Sequence, residues 1–317
     1  MENFQEFIST HYGVGLDLFF EALKHSPSAQ GYVMGAISEL LLQTYLEDKG
    51  FEVIRIKEKP AGGNDAKNEE ARGDFYIRKK NSQEDKWLVV ECKGLKSNSE
   101  FRGSKLDSKE KLFRFMRGLA FPASDYKTKT FQKGYQTYLK AKEEWESKNK
   151  GKSFPPFRWK KETPGPLACL LSGLWRDEKD FKEWIDAQPQ ESFEEKAYRQ
   201  LQGPIIILET HKPSKRVCSV TGINQAAPLV NDFNILAVDL FLRTGKHIFA
   251  FTNAENISHS PSSPSHLYQN YTIDILVKGK KEVVAFNPPW YEDIFDCINK
   301  TNPAYRIIDN SQLENRF

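Results

Sequence analysis

The stretch Gly73–Lys93, GDFYIRKKNSQEDKWLVVECK, decides how this chain is read. Asp74–Arg78 (DFYIR) and Trp87–Lys93 (WLVVECK) are apolar and aromatic runs joined by polar KKNSQED, a pattern that predicts two antiparallel strands and a turn. The turn Lys79–Lys86 is centred between residues 82 and 83. Folding there sets Asp74 opposite Glu91, Tyr76 opposite Val89 and Arg78 opposite Trp87, with opposite partners about 5 Å apart at Cβ on a shared face. Strand parity puts Trp87, Val89, Glu91 and Lys93 on one face and Leu88, Val90 and Cys92 on the other. Two carboxylates thus become neighbours at the end of an apolar strand, with Lys93 one step beyond. A slip of one residue would destroy the arrangement.

Glu-x-Lys alone carries little, since it recurs at Glu47/Lys49, Glu84/Lys86, Glu146/Lys148 and Glu194/Lys196. Context separates Glu91 and Lys93 from these, because a charged pair is out of place at the end of WLVV unless it has a task. Adjacent carboxylates on an apolar sheet repel, and a hard divalent cation relieves the repulsion. Oxygen donors suit Mg²⁺, which keeps several waters for a substrate phosphate, lowers the pKa of a bound water and offsets charge on the phosphate. Lys93 is placed to orient the water, to help deprotonate it, or to neutralise the phosphate. The backbone carbonyl of Cys92 lies between the two side chains as a further ligand. A surface hairpin bearing an exposed ion pair is the bland alternative.

Outward from this hairpin, apolar residues at helical spacing occupy the first 25 residues, and Val33, Ile37, Leu40, Leu41 and Tyr45 predict a second helical stretch ended by Gly50. Phe51–Lys57 (FEVIRIK) alternates like a strand, and the charged, turn-rich segment to residue 73 reads as an exposed loop. Lys109–Leu119 and Tyr135–Lys148 read as helices, Gly203–Thr210 and His247–Thr252 as strands, and Asp232–Arg243 (DFNILAVDLFLR) as a helix capped by Asp232. The segment SHSPSSPSH near 258–266 reads as a loop, and Tyr271–Val277 and Glu282–Phe286 as a hairpin.

The 317 residues suffice for a sizeable core, and an apolar content of 39% with 28% charged residues is that of a globular protein. No apolar run approaches the roughly 20 residues of a membrane span, and the polar start MENFQEFIST is unlike a secretory signal. Cys92, Cys169, Cys218 and Cys297 stand far apart, which reads as free thiols in a cytoplasmic protein and not as a zinc site. The six histidines form no HxxxH cluster and read as structural or surface residues. Net charge is only +3, but Leu95–Lys161 holds 18 Lys/Arg against 7 Asp/Glu, whereas Arg176–Arg199 holds 5 against 8. A basic block beside the carboxylates favours a polyanionic substrate; for residues 140–152 a solvated lysine-rich helix is the plainer account.

Gly73-Asp74, sixteen residues, then Glu91-Cys92-Lys93 at a strand end resembles the PD-(D/E)XK nuclease superfamily, especially type II restriction endonucleases, with Gly73 where the family name has proline. The resemblance implies an α/β fold: a restriction-endonuclease-like core of helix, three-strand meander, helix and further strand, with a mixed central sheet flanked by helices. Residues 30–94 and about 203–290 would supply this core within one domain spanning 1–317, and a large insertion over about 95–202 would contribute DNA binding. Asp232–Thr252 resembles the closing helix and strand, with Pro204–Thr210 competing for the last role. By resemblance, Asp74, Glu91 and the Cys92 carbonyl bind Mg²⁺, Lys93 completes the catalytic set, and phosphodiester hydrolysis leaves 5′-phosphates. Many members carry a glutamate on the first core helix, and Glu39 is the candidate; its alternative is to face water. DNA contacts are expected from Arg102 and Lys105, then from Lys212, Lys215 and Arg216, because arginine presents a fork matching guanine O6 and N7. The expected activity is sequence-specific cleavage of double-stranded DNA in restriction–modification by a symmetric dimer. A repair, phage or mobile-element nuclease of the same fold, or a non-catalytic DNA-binding module, is the alternative.

Overall fold

The computed structural model describes residues 3–57, 73–82, 84–95, 106–120, 129–148, 173–210, 228–257, 259–260, 263–267, 272–279 and 289–313. Three helices open the chain: α1 (Phe4–Tyr12), α2 (Leu16–Lys24) and α3 (Pro27–Asp48). Asn3 caps α1 by accepting from the Gln5 amide at 3.1 Å, and Ser26 caps α3, where Pro27 occupies the first turn. Gly50, at φ +83°, makes the sharp exit from α3 into the first strand.

The predicted meander follows as β1 (Phe51–Arg55), β2 (Phe75–Lys79) and β3 (Leu88–Gly94), antiparallel throughout. Its hairpin register is the expected one: Phe75 pairs with Val90, Tyr76 with Val89 and Ile77 with Leu88. Between Gly94 and the next central strand lie α4 (Lys109–Ala120), α5 (Lys129–Lys148), α6 (Glu178–Asp186), α7 (Glu195–Arg199) and β4 (Ile205–Glu209). The sheet then resumes with β5 (Ile235–Asp239), the short α8 (Phe241–Thr244) and β6 (Phe249–Asn253). Strand order is β1-β2-β3-β5-β6, with β3 and β5 parallel and every other pairing antiparallel. The architecture is therefore α/β, a mixed five-stranded central sheet flanked by helices.

Beyond β6, β7 (His259–Ser260) pairs with β8 (Ser263–Leu267), β9 (Thr272–Val277) pairs with β4, and α9 (Ile294–Thr301) follows. One sheet face, built from Phe75, Ile77, Leu88, Val90, Ile235 and Ala237, packs on Leu42 and Leu46 of α3 and on Ile294 and Cys297 of α9. The other face, with Tyr76, Val89, Leu236, Val238 and Ala250, packs on Leu208, Phe233, Leu240, Leu267, Ile273 and Trp290. The β4–β9 ribbon joins two cores, since Ile205, Ile207, Ile275 and Val277 turn towards Leu112, Met116, Phe181 and Tyr198 of the segment between β3 and β4 while Leu208 and Ile273 turn towards the sheet.

Three expectations are corrected. Asp232–Arg243 is not a helix: Ile235–Asp239 is a fully buried strand, and only Phe241–Thr244 is helical. A strand between two neighbours, with both faces covered, is apolar on successive residues, so periodicity cannot separate it from a buried helix. Asp232 caps no helix either; its Oδ2 accepts from the Leu229 amide at 2.7 Å. The strand beside β3 is β5, not 247–252 or 204–210, because β6 lies at the sheet edge and β4 in the separate ribbon. Part of 258–266, read as a loop, forms the β7–β8 ladder. Glu282–Phe286 lies outside the described residues. No helix among the described residues is long and apolar enough to cross a membrane. Cys92 and Cys297 are free and buried, while Cys169 and Cys218 lie outside the described residues.

Candidate active site

The strand directions bring the C-terminal ends of β1, β3 and β5 and the N-terminal end of β2 to one end of the sheet. Asp74 stands there, immediately before β2, where the ladder becomes irregular. Its amide donates to Val90 O at 2.8 Å, one residue short of the regular register, and its carbonyl accepts from the Ile56 amide at 2.9 Å. Its carboxylate Oδ2 accepts from the Cys92 amide at 2.6 Å, so the acid is pinned to β3 by the strand's own backbone. The close approach explains Gly73: a Cβ there would collide with the Val89 side chain and lie 2.8 Å from Val90 O.

Glu91 and Lys93 project from β3 on the face away from α3, as strand parity predicts, and the Lys93 ammonium pairs with Glu91 Oε1. Glu91 is buried, its side chain 10% exposed, whereas that of Lys93 is 32% exposed. Burial, then the Asp74 charge, pushes the Glu91 carboxyl up to about 8 against the opposing pull of Lys93, with a smaller contribution from Asp232. For Lys93, burial alone would lower the pKa, but the carboxylates of Glu91 and Asp74 outweigh it and hold the ammonium above its ordinary value. Lys93 is therefore a cation in this arrangement, which favours orienting and charge-neutralising roles over proton abstraction. The Cys92 thiol points to the opposite face, into the core under α3, and burial followed by the charges of Asp74 and Glu39 pushes it well up.

The donor set fits a hard cation. In antiparallel pairing a residue's amide and carbonyl face the same neighbouring strand, so the Cys92 carbonyl is directed, like its amide, to the edge where Asp74 sits. Two carboxylates and one carbonyl supply only oxygen, the preference of Mg²⁺. Among the described residues no three His, Cys, Asp or Glu side chains converge on one point, so the remaining coordination positions would fall to water and substrate.

Glu39 is held otherwise. It forms an ion pair with Arg55, whose guanidinium lies over the Phe75 ring at 5.7 Å. Arg55 shares the face of Phe51 and Val53, under α3, so Glu39 approaches the sheet end from the helix-covered side and not from the face of Glu91. Arg102, Lys105, Lys212, Lys215 and Arg216 lie outside the described residues.

Sequence reasoning missed two groups at this sheet end. Arg55 was visible as a charge on the apolar face of FEVIR. The second group centres on Asp239, which pairs with Gly94 in the parallel ladder. Its Oδ2 accepts from Ser38 Oγ at 2.6 Å and meets His247 Nδ1 at 2.7 Å, and its Oδ1 accepts from the Phe241 amide at 3.0 Å. The His247 ring stacks on Phe241 at 4.3 Å. No local signal announces a contact between residues 201 positions apart. A scan against protein-family models and searches of curated proteins and of solved structures returned no match for this chain.

Proposed function

We propose that this chain is a magnesium-dependent endonuclease of the PD-(D/E)XK type, cleaving double-stranded DNA at a short specific sequence to leave 5′-phosphates, in the manner of a type II restriction enzyme. The observation that carries the reading is the gathering of Asp74, Glu91 and Lys93 at one end of the β2–β3 hairpin, where burial and then the Asp74 charge raise the Glu91 pKa. Further support comes from the order of long helix, meander and parallel return strand, and from the basic stretch that follows β3. The mutual repulsion of Asp74 and Glu91 is a driving force for cation capture, with the Cys92 carbonyl as third protein ligand. A magnesium ion bound there would lower the pKa of a coordinated water and offset charge on the scissile phosphate. Asp74, tied to the Cys92 amide, is pre-oriented for that role. Lys93, charged and partly exposed, orients the attacking water and neutralises a phosphate oxygen. Glu39, through Arg55, sets the charge on the helix side of the sheet end and is not placed in the metal shell.

The test is incubation of the protein with plasmid and Mg²⁺. Discrete fragments are expected, and Lys93→Ala should slow their appearance by at least about a hundredfold, the scale of losing one preorganised charge-stabilising group. A smear would favour a non-specific nuclease; tight DNA binding without cleavage would favour a binding module. Full activity in Lys93→Ala would sink the site.

A further inference from the structure

Among the described residues, fifteen large apolar side chains are exposed, and nine of them lie between Phe4 and Leu41. The clearest run is on α3. Ser38, Leu42 and Leu46 are its buried positions, facing the sheet, while Val33, Ile37, Leu40 and Leu41 form a second stripe on the opposite side at i, i+4, i+7 and i+8. Tyr32, beside that stripe, is 82% exposed. A surface helix normally sets charge opposite its core-facing stripe, and a helix apolar all round is normally buried. From Pro27 to Ser38 α3 carries no charged residue, and its first, Glu39, goes to Arg55. α2, which packs against α3, is apolar at Leu16, Leu18, Phe19, Phe20 and Leu23 and yet buries no residue.

We infer that this outer face of α1–α3 is the interface with a second copy of the chain. Size supports it: α2 contacts both α1 and α3, and Phe4 meets Phe20 across the first pair. With roughly 150–250 Å² for an aromatic side chain and somewhat less for an aliphatic one, the nine residues of these adjoining helices together expose on the order of 1,000 Å² per copy. A standard interface takes roughly 800 Å² from each partner, and exposed apolar patches of this size mark interaction sites. Charge chooses among occupants. Lys24 is the only lysine or arginine in residues 3–48, against Glu6, Asp17, Glu21, Glu39, Glu47 and Asp48. An anionic lipid surface or a nucleic acid would meet a face whose one lysine is already paired with Glu21, whereas interfacial helices are rich in cations. The charge-free stripe of Val33, Ile37, Leu40 and Leu41 is, by contrast, self-complementary across a two-fold axis.

Sedimentation velocity of the full chain, without DNA or metal, tests this separately from the nuclease reading, because cleavage plays no part in the readout. A dimer at micromolar concentration is expected. Leu40→Glu with Ile37→Glu should give a monomer of unchanged circular dichroism, and the milder Leu40→Ala should weaken the dimer about tenfold. A wild-type monomer would overturn the inference. So would a dimer that survives the double variant, or flotation of the protein with neutral phosphatidylcholine vesicles in place of self-association.

Discussion

At one end of the sheet, on adjacent parallel strands, two carboxylates are buried in different ways. Asp239 on β5 is 2% exposed and Glu91 on β3 is 7% exposed. Around Asp239 the fold supplies a serine hydroxyl, a histidine ring nitrogen and a backbone amide, so both oxygens have partners and the acid is part of the scaffold tying α3, β5 and the β5–β6 turn together. Around Glu91 it supplies one ammonium and a second carboxylate, and the carboxyl is pushed up towards neutrality. Burial is common to the two. What separates a structural acid from a candidate catalytic one is whether the surroundings balance the charge, and at Glu91 they leave a deficit that a cation would fill.

The comparison predicts mutational costs of unequal size. Asp239→Ala leaves the buried Ser38 hydroxyl without its acceptor and removes the ties to the Phe241 amide and His247. It should cost about 3 kcal/mol of unfolding free energy, the upper end of the scale for a hydrogen bond to a charged group. Glu91→Gln removes a repulsion with Asp74 while weakening the tie to Lys93, and without metal it should stay within about 1 kcal/mol of the wild type. Chemical denaturation of both variants in chelator measures the difference. Equal costs would erase the distinction between the two acids.

Magnesium should invert the ranking. Under the proposed function, Mg²⁺ at about a hundredfold over its dissociation constant stabilises the wild type by about 2.7 kcal/mol, because it binds only the folded chain. Asp239→Asn, if folded, keeps that gain; Glu91→Gln and Asp74→Asn lose it, and chelator removes it from the wild type. Thermal melts with and without Mg²⁺ read the effect. A gain retained in Glu91→Gln would place the cation elsewhere.

The same contrast explains what the amino-acid sequence disclosed. Glu91 was legible because everything that places it is local: a turn centre, strand parity and an apolar run within 21 residues, Gly73 to Lys93. The irregularity at Asp74 was not, since alternation predicts an ideal ladder and says nothing of where an amide slips by one residue. Asp239 was illegible twice over. Its strand reads as a helix because ILAV is buried on both sides, and its partners Ser38 and His247 belong to other elements. Glu39 was seen as a charge on a helix, but its partner Arg55 emerged only when α3 and β1 were laid together.

His266 is a second ionisable group perturbed by burial, with the smallest expected consequence. Its side chain is fully buried beside the Leu229 bridge, and burial pushes the imidazole down to about 4. The folded protein then keeps the ring neutral at pH 5, where the unfolded chain, titrating near 6.5, has bound a proton. More protons on the unfolded state mean that stability rises with pH, so the contribution is complete above about pH 6.5 and is lost as pH falls towards 4. Between pH 7 and pH 5 this amounts to about 2 kcal/mol. Other groups titrate over the same span, so the measurement is a difference: urea unfolding of the wild type and of His266→Gln at both pH values. The wild type should lose about 2 kcal/mol more than the variant over that interval. Parallel losses would mean that His266 takes up its proton without unfolding.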